Sequence, residues 1–192
     1  MNPESVPALL AWSAMVNLLF PLSWRVRLLG AQNLPPKGTA CIFTCNHPAL
    51  IDSFWLQLKL RRRLAICGAK PKYYTTPLRR GVLGMANIRR IGGRQEFLIT
   101  AGRLLGAGKT LLVYPEMGRY PDGLGPFQPW VSELSIQHNT PLIPCYLAGT
   151  GARDNRRLTL VIGEMLPPEG SPEFLTERLR VRIDNLGAGL RS

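Results

Sequence analysis

The chain has 192 residues, 45% hydrophobic and 19% charged, which excludes a disordered chain and suits one globular domain. Its 19 Gly and 17 Pro follow no period, so collagen-like and low-complexity architectures are excluded as well. Lys and Arg number 24 against 12 Asp and Glu, a formal charge of +12 that calls for an anionic neighbour: lipid, phosphorylated substrate, acidic carrier protein or nucleic acid.

Residues 5–24 carry no charge and lie between Glu4 and Arg25. No basic residue precedes them, which argues against a signal peptide. Pro7, Asn17 and Pro21 interrupt the run, and Trp12 and Trp24 stand where a membrane interface favours them. The segment reads first as an apolar helix lying in the interface or half inserted. A buried core helix and a full span are the alternatives. Residues 1–24 are thus expected to form a membrane-associating helix and residues 25–192 the main domain.

Strand-like runs follow at 26–30 and 40–45, with a turn through Pro35, Pro36 and Gly38 between them. A helix is expected from 53 to about 61, opening just after Asp52. A short strand follows at 64–67, then a turn or two of helix over 78–85. The spacing of Phe97, Leu98, Ala101, Leu104 and Leu105 predicts a helix over 95–105. The continuous apolar run at 110–114 predicts a strand buried on both faces. A helix at 131–138, strands at 142–148 and 158–162, and a closing helix at 173–186 complete the chain. Strands alternating with helices point to a single α/β domain, its mostly parallel central sheet flanked by helices and preceded by the N-terminal apolar helix.

The four Cys have no C-x-x-C spacing and lie in apolar runs, so buried reduced thiols are expected. The two His stand outside any spaced Cys/His cluster, and no metal or other cofactor is expected. Between Asp52 and Glu96 there is no acidic residue, while eleven of the 24 Lys and Arg lie there. Such a stretch reads as a docking surface for anions or as a solvated basic face.

The chemistry concentrates in Asn46-His47-Pro48-Ala49-Leu50-Ile51-Asp52. The segment joins a strand to a helix, and α/β folds place their sites at the carboxyl ends of strands. If His47 is in the loop and Asp52 in the first helical turn, the carboxylate can reach one ring nitrogen. It would then fix the tautomer and leave the other nitrogen as a general base. Spacing alone also permits a satisfied loop histidine beside a helix-capping aspartate.

With its preceding strand and four-residue gap, this segment resembles the histidine-x4-aspartate signature of the glycerolipid acyltransferases, the 1-acylglycerol-3-phosphate acyltransferase family. Further blocks agree in order. Ala69-Lys70-Pro71-Lys72, followed by Pro77-Leu78, resembles the family's lysine segment. Asn87-Ile88-Arg89-Arg90-Ile91-Gly92-Gly93-Arg94 resembles its second block, and Tyr114-Pro115-Glu116-Met117-Gly118-Arg119 the aromatic-Pro-Glu-Gly-Thr-Arg block. Residues 141–146 are similar to the last block, an apolar strand with an internal proline. The resemblance runs from about Val26 to Val161. Two departures fall in the acceptor half of the site. Met117 takes the glycine position and Gly118 the hydroxyl position, and Phe127-Gln128-Pro129-Trp130 replaces a basic, Gly-containing stretch.

The resemblance implies transfer of an acyl group from a thioester, acyl-CoA or acyl carrier protein, to a hydroxyl of a lysophospholipid-like acceptor. His47 would be the general base, oriented by Asp52, with no acyl-enzyme. Lys70, Arg94 and Arg119 suit an anionic head group, Glu116 an acceptor hydroxyl or an arginine, and Gly118 close backbone approach. The alternatives are an ornithine-type lipid or a glycolipid as acceptor, or a non-catalytic lipid-binding protein. No nucleic-acid-binding motif is present, so nucleic acid is not expected as a partner. The expected location is the cytoplasmic face of the cell membrane, peripheral or monotopic.

Overall fold

In the computed structural model, residues 6–49, 51–69, 75–120, 123–151 and 157–190 are described. Helix α1 (Val6–Leu19) runs into a 3-10 turn (Phe20–Arg25), followed by strands β1 (Arg27–Leu29) and β2 (Ile42–Cys45). Then come α2 (Asp52–Leu60), β3 (Ala65–Ala69), α3 (Pro77–Met85), β4 (Ile88–Arg90), α4 (Arg94–Gly106) and β5 (Leu111–Val113). The chain ends with α5 (Trp130–Gln137), β6 (Leu142–Ala148), β7 (Thr159–Ile162) and α6 (Pro172–Ala188). The expected single α/β domain is observed.

The seven strands form one sheet in the order β1-β7-β6-β2-β5-β3-β4. Every pairing is parallel except β6 with β7. A parallel return needs a crossover of roughly a dozen residues or more. The link from Ala148 to Thr159 is shorter than that, so β7 turns back beside β6. Strand β4 was absent from the sequence reading. It is a three-residue edge strand with two arginines, and its apolar content is too low to give a strand pattern.

The pleat sends alternate residues to opposite faces. Ile42, Leu111, Val113, Leu142 and Tyr146 join one core with Phe97 of α4, Leu134 of α5 and Leu175 of α6. Phe43, Cys45, Leu112, Tyr114, Ile143 and Cys145 join the other with Leu56 and Leu60 of α2. Because β2, β5 and β6 are covered on both faces, they read in the sequence as unbroken apolar runs.

The cysteines are free and buried, as expected. Burial pushes the Cys41 thiol up to about 11 and the Cys67 thiol up to about 12, so both are neutral packing groups at physiological pH.

On the α2 side, α1 packs against α3 and the 3-10 turn against α2. Arg61 at the end of α2 donates to the Asn17 side chain of α1 at 3.2 Å. With 14 residues α1 is about 21 Å long, and among the described residues no helix is long and apolar enough to cross a membrane. Val16 of α1 is buried, while Val6, Leu10 and Leu18 are 67%, 65% and 78% exposed.

Candidate active site

Strands β2 and β5 run parallel side by side, so their carboxyl ends deliver His47 and Tyr114-Pro115-Glu116 to the same edge of the sheet. Asn46 makes the exit from β2 definite. Its buried side-chain amide donates to the Leu147 carbonyl at 3.0 Å and accepts from the Leu147 N–H at 2.7 Å. The side chain thereby extends the pairing with β6 by one step beyond Cys45 and Cys145, and the backbone is free to turn away.

The turn brings the His47 Nδ1 to 2.9 Å from Asp52 Oδ2, and the same oxygen accepts from the Ala49 N–H at 2.9 Å. Asp52 is fully buried in the first turn of α2, where the helix N-terminus favours its negative charge. Ile51 occupies the cap position, and no side-chain cap bond is made there. The capping alternative for Asp52 therefore fails: the carboxylate folds back onto the loop. An ionised carboxylate only accepts, so the proton sits on Nδ1 and Nε2 is the basic nitrogen. The His47 side chain is 16% exposed, enough for a hydroxyl to reach it.

Glu116 is nearly as buried as Asp52. Its Oε1 accepts from the His47 N–H at 3.0 Å and its Oε2 from the Gly125 N–H at 2.8 Å. Burial pushes its carboxyl above the usual carboxylate range, and the two N–H donors partly offset that. The sequence reading gave Glu116 an acceptor hydroxyl or an arginine; in the structure it joins two backbone loops. The His47 carbonyl in turn accepts from the Tyr120 N–H at 3.1 Å.

Tyr114 is the residue that the sequence reading passed over, treating it only as the aromatic opening its block. Its ring stacks on the His47 imidazole, centroids 3.9 Å apart and planes 13° from parallel. Its hydroxyl lies 2.7 Å from the Ser53 hydroxyl, and burial pushes the phenol well above its ordinary pKa, which keeps it neutral. The available signal was alternation: Leu112 and Tyr114 share the α2 face of β5.

The other expected residues are spread around this centre. Met117 has φ 49°, in the left-handed region that favours glycine, and its side chain packs against the α4–α6 core. A Cβ on Gly118 would stand 3.1 Å from the Tyr120 ring, a tight fit that suits glycine. Arg119 is exposed. Arg94 opens α4, where its guanidinium forks onto Glu133 of α5 at 3.1 and 2.6 Å. Lys70 lies outside the described residues.

Among the described residues no three His, Cys, Asp or Glu side chains gather as metal ligands would. What the arrangement can do is accept a proton at Nε2 from a hydroxyl and carry the resulting charge beside Asp52.

Residues 25–148 match the family model described as Acyltransferase. A chloroplastic 1-acyl-sn-glycerol-3-phosphate acyltransferase of Brassica napus is 26% identical over 134 residues, which are 67% of this chain and 38% of the relative. One from Arabidopsis thaliana is 25% identical over 134 residues, 67% of this chain and 37% of the relative. The chain thus spans under two-fifths of the length of these two plant relatives. In architecture it is similar to the crystal structure of the 1-acyl-sn-glycerophosphate acyltransferase from Thermotoga maritima. The TM-score is 0.71 at 21% identity, over 92% of this chain and 80% of that one.

Proposed function

This chain belongs to the acyltransferase family, and from that premise we propose that it moves a fatty acyl group from a thioester to a hydroxyl of a lysophospholipid-like acceptor at a membrane surface. The observation that carries the reading is the 2.9 Å contact between His47 Nδ1 and the buried Asp52 carboxylate, on a ring that solvent still reaches. The acceptor hydroxyl gives its proton to Nε2 as its oxygen attacks the thioester carbonyl. The tetrahedral intermediate collapses with cleavage of the C–S bond, and the proton passes from Nε2 to the departing thiolate. Asp52 stabilises the imidazolium between these steps. The acceptor supplies the nucleophile, so no acyl-enzyme forms.

The plant relatives' names carry 1-acyl-sn-glycerol-3-phosphate, which supports lysophosphatidic acid as the acceptor to try first. Met117 is what favours a different one, an ornithine-type lipid or a glycolipid, because a side chain stands where backbone alone would meet the head group. The donor is acyl-CoA or an acyl carrier protein. The exposed leucines of α1 and the charge of +12 support a peripheral or monotopic enzyme on an anionic leaflet, the cytoplasmic face of the cell membrane.

The test incubates purified protein with radiolabelled acyl-CoA or acyl carrier protein and, separately, lysophosphatidic acid, other lysophospholipids, an ornithine-type lysolipid and a glycolipid. A labelled acyl lipid is the expected product. No labelled lipid from any donor and acceptor pair would overturn the reading.

A further inference from the structure

We infer that Tyr114 is a positioning residue for the reaction: its ring is the platform on which the His47 imidazole lies, and its face meets the positive charge which that ring acquires. The inference rests on the proposed acyl transfer and adds a partner to the base that the His47–Asp52 pair does not include.

Asp52 approaches the imidazole in its plane, through Nδ1. That contact fixes distance but leaves the ring able to rock about the Nδ1–Asp52 direction, which would swing Nε2. The stack closes this freedom, because a ring 3.9 Å away and 13° from parallel covers one face of the imidazole. The platform is itself held at both ends. Its backbone follows directly on β5, and its hydroxyl is paired at 2.7 Å with Ser53, the neighbour of Asp52 on α2. One strand and one helix therefore fix the ring. The same short segment reaches His47 again through Glu116, whose carboxylate takes the His47 N–H. Tyr114 is buried and neutral, so it contributes a π face without a competing charge. When Nε2 accepts the acceptor's proton, the imidazolium lies on the electron-rich face of the phenol, a cation–π contact made at full strength only after proton transfer. An interaction stronger in the transition state than in the ground state raises kcat rather than lowering KM.

The experiment compares wild type, Tyr114→Phe, Tyr114→Leu and Tyr114→Met in the acyl-transfer assay, with melting temperatures measured alongside. Proton NMR reads the two histidines directly, since the chain has only His47 and His138. In the wild type, the His47 ring protons are expected upfield from ring current, a shift kept in Tyr114→Phe and lost in the aliphatic variants. Tyr114→Leu and Tyr114→Met are expected to lower kcat by about 3- to 30-fold with both KM values little changed. Tyr114→Phe, which keeps the face and loses only the Ser53 contact, is expected to recover most of that rate. Wild-type kcat in a folded aliphatic variant would overturn the platform role, as would a Phe variant as slow as the Leu variant. An unshifted His47 resonance in the wild type would overturn the stack itself without any variant having to fold. Absence of transfer by the wild type would overturn the acyl-transfer reading, and the role of Tyr114 with it; transfer by the wild type combined with either earlier failure would overturn the platform alone.

Discussion

His47 is held through its ring nitrogen by Asp52, through its ring face by Tyr114, through its N–H by Glu116 and through its carbonyl by the Tyr120 N–H. None of these contacts belongs to a hydrophobic core, so His47→Ala is expected to leave the melting temperature nearly unchanged while transfer falls by about 10²–10⁴-fold. Asp52→Asn is expected to slow turnover as well, since an amide no longer dictates the tautomer; steady-state kinetics and thermal melts on the two variants check both statements. Glu116 makes a pH prediction. Its folded carboxyl titrates above its unfolded value, so the folded state binds the extra proton and the stability Glu116 contributes declines as pH rises through that window. Gln at 116 does not titrate. The stability lost in Glu116→Gln is therefore expected to be larger at acidic pH, below the ordinary carboxylate range, than at pH 7, as urea melts at the two values would read. Met117→Gly would relieve a left-handed backbone strain of about 1–2 kcal/mol and forfeit a similar amount of apolar packing. A melting temperature within a few degrees of wild type is expected. If the side chain narrows the acceptor pocket, kcat/KM for lysophosphatidic acid rises. An unchanged kcat/KM would make the substitution neutral for the acceptor.

Among the helices α1 is the least absorbed into the fold. Its apolar content exceeds what α3 and the 3-10 turn can cover, and Val6, Leu10 and Leu18 stand in solvent. Fourteen residues are too few to span a bilayer of ~30 Å, yet the exposed side chains are enough to anchor at its interface. Leu10→Asp and Leu18→Asp are expected to change folding stability by less than about 0.5 kcal/mol, because neither side chain packs against the protein. Both are expected to lower flotation with liposomes. Unchanged flotation would assign α1 to the fold alone and leave membrane binding to the basic surface.

Taken as a whole, the molecule pairs an open catalytic edge with a strongly positive surface. A charge of +12 on 192 residues attracts an anionic leaflet over distances on the scale of the Debye length, about 10 Å at 0.1 M salt. Binding to vesicles rich in anionic lipid is expected to weaken steeply as salt is raised, and binding to zwitterionic vesicles to depend on salt far less. Co-sedimentation over a salt series reads the difference. Arg94 contributes less to this field than its sequence position suggests, since Glu133 neutralises it across the α4–α5 contact.

The apolar runs that became β2, β5 and β6 and the spacing that became α4 were legible because burial on both faces or on one leaves a periodic trace in the residues themselves. The His47-x4-Asp52 gap was legible for the same reason: both residues belong to one short loop, and local chain geometry brings them together. Strand β4 left no trace, because an edge strand is defined by hydrogen bonds to β3 rather than by its own side chains. The direction of β7, the pairing of Asn46 with Leu147, the fork of Arg94 on Glu133 and the stack of Tyr114 on His47 each join residues far apart in the chain. Composition and spacing determined that this protein is a basic α/β domain with a histidine–aspartate pair after its second strand. Only the tertiary structure decided what holds the imidazole in place. Those contacts arise where parallel strands end side by side, and the order in which strands pair is set by packing across the whole sheet, not by any segment alone.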